Sequence, residues 1–457
     1  MRVKFAVLLA AILAALHGAN TAIAESRWSN TSGGTLDWNV SGNWSGTFPP
    51  AGADDVRITN DLSIAQTITN MGGNTAIGAT NTINFLAVSN GVGSTPVTVI
   101  QAPGVFWRTS FGFQIGKNAT VILTTNAIMG TNQFFAFNLR AGGQPGTLIL
   151  SNASPTSGIS TFVNNGGGTG IFNAGTIQLT PNGNQLVSLN YGQVNAFTND
   201  ALGTVVMKGS GTGAFIGNFG ANNRAFINNG SILVNAGTLR IDSRDAFSRG
   251  GFQNGATGYV RVDTGSVFEL RRTINAWGTG PAPTNFGTVF LNGGNLVAVD
   301  TDTSATNVSR IIANLGTIGG NGTILASINN RTNSFLSPGA SIGTLNVGGN
   351  VTFGSNSTFV VELGLLAGQN DLLQVSSNLT LSIGSILNIS GGAIGNIYTV
   401  ATAFAVSGTF STVTPGYLVS YDPTDIRVEV VPEPATLLLV GGAVAALVTV
   451  RRRRRRA

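Results

Sequence analysis

Glycines at a nearly constant interval constrain this chain more than anything else in its sequence. They stand at Gly146, Gly175, Gly203, Gly230, Gly258, Gly287, Gly316 and Gly343, so that successive steps are 29, 28, 27, 28, 29, 29 and 27. Ala119, in Asn118-Ala119-Thr120-Val121, extends the series by 27 toward the N-terminus. The motif around them is Asn-x-Gly-Thr-apolar-x-apolar, clearest in Asn173-Ala174-Gly175-Thr176-Ile177-Gln178-Leu179 and Asn285-Phe286-Gly287-Thr288-Val289-Phe290-Leu291. Two and four positions after each glycine an apolar side chain returns: Leu148/Leu150, Ile177/Leu179, Val205/Met207, Ile232/Val234, Val260/Val262, Val289/Leu291 and Leu345/Val347. In the Gly316 copy, Ile318 is followed by Gly320 instead. Alternating apolarity marks strands, and a fixed period marks units that stack on one another.

The expected fold is therefore all-β: a right-handed parallel β-helix, or β-solenoid, with coils of about 28 residues. Eight or nine such coils at ~4.8 Å would make a rod of roughly 40 Å. In this register Ile177, Val205, Ile232, Val260 and Val289 form one inward column. Gln178, Val206, Leu233, Arg261 and Phe290 face outward beside it. Glycine is expected to supply positive φ at corners, and asparagines in register to form amide ladders. A β-propeller is the alternative, but its blades need about 40 or more residues.

Composition agrees with strands and excludes most chemistry. The 457 residues include 63 glycines, and only 9 % are charged. There is no Cys, so disulfides, thiolate nucleophiles and Cys-ligated zinc are excluded. The single histidine, His17, lies in the N-terminal apolar stretch. Without it the chain has no imidazole for acid–base catalysis or metal ligation. The pI near 10.2 reflects the two ends, because Arg2, Lys4 and Arg451 to Arg456 hold eight of the 24 basic residues. Residues 25–431 carry about −1, which leaves no basic stripe for nucleic acid.

Both ends read as addresses. Arg2 and Lys4 precede the apolar run Phe5 to Leu16, and Ala22-Ile23-Ala24 precedes Glu25. This is the pattern of a secretory signal peptide over 1–24, cleaved between Ala24 and Glu25. At the other end stand Pro432-Glu433-Pro434, the uncharged run Ala435 to Val450, and then Arg451, Arg452, Arg453, Arg454, Arg455 and Arg456. Sixteen residues span about 24 Å as a single hydrophobic helix, and the arginines would keep the tail cytoplasmic. The segment over 432–457 resembles the PEP-CTERM sorting signal of Gram-negative bacteria. That resemblance implies cleavage by an exosortase-type membrane peptidase, transient anchoring in the inner membrane, and a cell that makes extracellular polysaccharide.

The flanks of the repeat differ from its middle. Trp28, Trp38 and Trp44 cluster within residues 25–90, a stretch expected to form an N-terminal cap and irregular first coils. Sugar stacking and a buried plug are both compatible with three tryptophans. The stretch resembles the N-terminal caps of exported autotransporter-like repeat proteins. Repeats are expected over 91–350 and a C-terminal β cap over 351–431. Gly320-Asn321-Gly322-Thr323-Ile324 and Leu336-Ser337-Pro338-Gly339-Ala340-Ser341-Ile342-Gly343-Thr344-Leu345 lead into the strands around Phe359 to Leu363 and Leu379 to Leu381. Ile397 to Val400, Gly408-Thr409-Phe410 and Tyr421-Asp422 follow. This region resembles the end of autotransporter-associated β-strand repeat passengers, which implies a β-helix closed by a terminal β cap. No outer-membrane barrel follows, so self-transport is not expected.

Few residues carry candidate chemistry. Gly339-Ala340-Ser341-Ile342-Gly343 matches a nucleophile elbow, but with no histidine partner it is expected to be a coil corner. Gly-x-Gly strings occur without a following Gly-Lys-Ser/Thr, and RTX calcium repeats are absent. One charged cluster stands out: Arg240, Asp242, Arg244, Asp245, Arg249, Arg261, Asp263, Glu269, Arg271 and Arg272. The expected reading is an ion-pair ladder on two coils. The alternative is a polysaccharide lyase or hydrolase, with Asp242, Asp245 and Asp263 converging. The expectation is thus a non-enzymatic, exported surface or extracellular-matrix structural or adhesion protein without a cofactor or metal. Extracellular polysaccharide is its candidate ligand.

Overall fold

The computed structural model describes residues 25–29, 32–45, 55–59, 65–71, 80–89, 96–101, 106–124, 128–131, 134–136, 146–152, 160–164, 171–191, 197–217, 226–243, 251–274, 282–302 and 307–432. It is a parallel β-solenoid in which each coil contributes strands to three faces. In one coil these are Ile171–Asn173, Thr176–Pro181 and Leu186–Tyr191. They pair in parallel with Phe197–Asn199, Thr204–Met207 and Thr212–Gly217 of the next coil. Among the described residues the only helix is a short 3-10 turn, Ser41–Asn43.

The expected column is present. Ile177 pairs with Val205, Val205 with Ile232, Ile232 with Val260, and Val260 with Val289. All five are at most 3 % exposed. The ladder continues backward through Leu148, Val121, Val99, Ile68 and Leu36. Forward it passes Ile318, Leu336, Phe359 and Leu387 to Val413. From Val121 to Ile318 every step keeps the spacing of the glycines. A fully buried Val, Ile or Leu is worth roughly 1.5–3 kcal/mol, so this column and its neighbours supply most of the core.

The register departs from expectation at Gly343. Leu336 follows Ile318 in the column after a much shorter step than those from Val121 to Ile318. Leu345 and Val347, read as the next copy, stack on Gly322 and Ile324 of a different face. The motif recurs there because that face is built from the same alternation. The break at Gly320 also has a cause. Its φ is +96°, and a Cβ would fall on the carbonyl oxygen of Leu291, its partner in the neighbouring coil.

The repeat glycines also differ from expectation. Gly146, Gly203, Gly230, Gly258, Gly287 and Gly316 do not take positive φ. They lie where coils touch: a Cβ at Gly203 would fall on the Asn173 carbonyl, and one at Gly287 on the Gly258 carbonyl. The carbonyl of each repeat glycine from Gly146 to Gly287 accepts the N–H of the residue that follows the next coil's glycine, and that of Gly316 accepts the Phe335 N–H. Thr204 N–H donates to Gly175 O (2.8 Å) and Ser231 N–H to Gly203 O (2.9 Å). Positive φ belongs to other corner glycines, such as Gly237 and Gly265.

Asparagines form the expected amide ladder, extended well beyond the clearest motifs. Asn173 Nδ2 donates to Asn199 Oδ1, Asn199 to Asn228, Asn228 to Asn254, Asn254 to Asn285, Asn285 to Asn314, and Asn314 to Asn330, all at 2.7–2.8 Å. All seven are at most 2 % exposed. The ladder stops because Asn330 pairs with Phe353, which leaves the Asn330 Nδ2 unpartnered. On the same strands Phe197 and Phe226 stack at 4.4 Å between ring centroids.

At the N-terminal end Trp28, Trp38 and Trp44 are buried at 5, 1 and 7 % exposure and meet edge to face. The Trp44 Nε1–H donates to the Trp38 carbonyl at 2.9 Å. Buried ring faces cannot stack on sugars, which removes that reading of the cluster. At the other end parallel pairing gives way to antiparallel. Ile397–Thr402 pairs with Asp425–Val430, which pairs with the outermost strand, Tyr417–Tyr421.

Candidate functional site: the charged coils and the chain exit

The charged coils resolve into pairs on separate faces. Arg240 lies on Thr238–Ser243 and Glu269 on Val267–Ile274, one coil apart in register, and Arg240 Nε reaches Glu269 Oε2 at 2.7 Å. Two positions along, Asp242 is the register partner of Arg271, and Arg272 lies next on the same strand. Arg261 and Asp263 belong to another face, on Tyr259–Asp263. The Arg261 guanidinium grips Asp263 with two bonds, 2.9 and 2.7 Å, and Asn292 Nδ2 adds a third at 2.9 Å. This grip holds the Asp263 carboxyl below the usual carboxylate range and raises the guanidinium in turn. Arg244, Asp245 and Arg249 lie outside the described residues.

Asp242 and Asp263 are not brought together. Asp263 closes one strand, and Arg271, the position facing Asp242, lies on the next strand, beyond a corner. A glycosidase pair must face one bond from roughly 5–10 Å. Among the described residues no three His, Cys, Asp or Glu side chains gather as a metal site. Gly339 to Gly343 forms a turn between Phe335–Pro338 and Thr344–Val347. There the Ser341 Oγ accepts the N–H of Ile342, its own neighbour.

That turn is held by a residue the motifs did not reveal. Asp371 is 3 % exposed, and its carboxylate accepts the backbone N–H groups of Gly343 (2.9 Å) and Glu362 (2.8 Å). It fastens the Ser-Pro-Gly turn to the next coil. Burial raises its pKa to about 6, against the two N–H donors, which favour the charged form. Its position 28 residues after Gly343 was the one available signal.

The body ends at the chain exit. Val430 is 9 % exposed and closes the last strand. The Val431 N–H donates to the Gly416 carbonyl at 3.0 Å, and Pro432 follows. Glu433, Pro434, the apolar run and Arg451 to Arg456 lie outside the described residues, as do Ala24 and the rest of 1–24. The expected C-terminal helix falls there. Among the described residues no helix is long and apolar enough to cross a membrane.

Body and exit define a class: a β-solenoid that delivers its chain straight into a terminal address segment. A family model described as the PEP-CTERM protein-sorting motif matches residues 430–455. That motif marks an exported chain, held for a time at the membrane by its C-terminal segment and handled by exosortase-type sorting machinery. Comparison with curated proteins finds no match.

Proposed function

We propose that this protein is a non-enzymatic surface or extracellular-matrix component of a Gram-negative bacterium. It is exported, cleaved by an exosortase-type peptidase near Pro432-Glu433-Pro434, and then released or attached as a stiff rod. The coils wind right-handed, the sense of nearly all parallel strand connections. The tryptophan plug and the closing antiparallel strands serve as caps that protect the open ends of the stack. The body is an autotransporter-associated repeat solenoid. Its work is adhesive or structural: long, nearly neutral faces offer many weak contacts to extracellular polysaccharide.

The observation that carries this reading is the sorting motif directly abutting a folded solenoid. The charged coils support it, because Arg240 bridges to Glu269 one coil on and Asn292 of the next coil binds Asp263, an arrangement suited to fastening coils. Replacing Pro432, Glu433 and Pro434 with alanine should leave an unprocessed, membrane-retained chain on immunoblots of cell fractions. Normal maturation of that variant would reject the sorting step. A glycan array with the mature chain, paired with a reducing-end assay, separates binding from hydrolysis; release of reducing ends would favour the polysaccharide-active enzyme.

A further inference from the structure

The last coils expose apolar side chains at several corners, Ile383 and Phe404 among them, and at one of these corners the chain leaves the body. Leu365 is 74 % exposed, Leu366 63 %, Ile394 66 %, Ile397 56 % and Leu418 60 %. They are contiguous through the backbone. Asn396 Nδ2 donates to the Leu365 carbonyl at 3.1 Å, and the Gly395 N–H to the Val430 carbonyl at 2.9 Å. Ile397 and Leu418 flank Glu429 on either side in register. All five therefore surround the end of the strand Asp425–Val430. A cluster of exposed apolar side chains with polar neighbours, here with Glu429 between Ile397 and Leu418, marks a contact surface.

The occupant follows from the length of chain beyond the patch. From Pro432 to the first residue of the apolar run, Ala435, an extended chain reaches at most about 11 Å, and two of the residues on this path are prolines. Whatever receives the apolar run must lie that close to the patch. Building on the membrane anchoring read from the sorting motif, we infer that this corner rests on the lipid surface while the tail is inserted. Its Leu and Ile side chains enter the headgroup boundary as the apolar face of an interfacial element does. The body then lies against the membrane at its C-terminal end, and cleavage releases both the tail and this contact.

The absence of cysteine makes the test direct. Full-length Leu418→Cys, Leu365→Cys, Ile311→Cys and Ala445→Cys variants, each labelled with an environment-sensitive dye, are reconstituted into phosphatidylethanolamine–phosphatidylcholine vesicles. A fraction of the lipid carries a spin label near the headgroup. Labels at 418 and 365 should be quenched at least about two-fold more than the label at Ile311, which lies several coils back from the exit, as for side chains at the headgroup boundary. If Ala445 is quenched while 418 and 365 match Ile311, the docking inference is overturned and the anchoring stands. If Ala445 is unquenched, the anchoring itself fails and the docking falls with it.

Discussion

Asn228 illustrates what a single residue does in this stack. Its Nδ2 is the donor to Asn254 Oδ1, and its Oδ1 receives Asn199. Asn228→Ala strands the buried Asn254 acceptor, at a cost of about 1–3 kcal/mol. Asn330→Ala should cost less, because the Asn330 donor is already unpartnered and Asn314 keeps its bond to the Phe335 carbonyl. Urea unfolding of the two variants checks the order. Asp371 adds a pH dependence with a definite sign. Its folded pKa of about 6 lies above the ordinary 3.8, so the folded state holds the proton more tightly. Its contribution to stability is full below the unfolded value and is lost as pH rises through about 6. Asp371→Asn removes this slope, and it also turns an amide N–H toward Gly343 or Glu362, which need acceptors. Melting temperatures from about pH 4 to 7.5 should rise relative to that variant as the wild type is acidified. Parallel curves would contradict the assignment.

At the scale of strands, the side-chain period of two decides which changes the solenoid tolerates. Val205 is inward and fully buried, whereas Gln178 lies outward on the adjacent coil. An aspartate at 205 places an unpaired charge in the core, and one at 178 does not. Val205→Asp should abolish the cooperative melt or lower it far more than Gln178→Asp, by circular dichroism. Equal losses would reject the register. This alternation was legible in the sequence because inward residues repeat at one spacing, as from Ile177 to Val289. The asparagine ladder was only partly legible. Asn173, Asn285 and Asn314 precede their glycine by two positions, but Asn199 and Asn254 precede theirs by four. The corner absorbs the two extra positions without moving the amide. The role of Gly203 was hidden for a different reason: what excludes its Cβ is the carbonyl of Asn173, which belongs to the preceding coil. Asp371 was invisible as a site because its partners are backbone groups, which leave no mark in a motif.

The whole molecule is a stack, and its length should grow linearly with the number of coils between two points. The outward column beside the core runs Ile122, Ile149, Gln178, Val206, Leu233, Arg261 and Phe290, one residue per coil. A cysteine-free chain allows paired spin labels at Ile122 and Phe290, at Gln178 and Phe290, and at Leu233 and Phe290. Pulsed electron–electron distance measurement should return separations near six, four and two multiples of ~4.8 Å, with label length added equally to each. Distances that rise in that proportion are what a parallel solenoid in this register requires. Distances that saturate or fall as coils are added would contradict the stack, and with it the rod on which the proposed surface role depends.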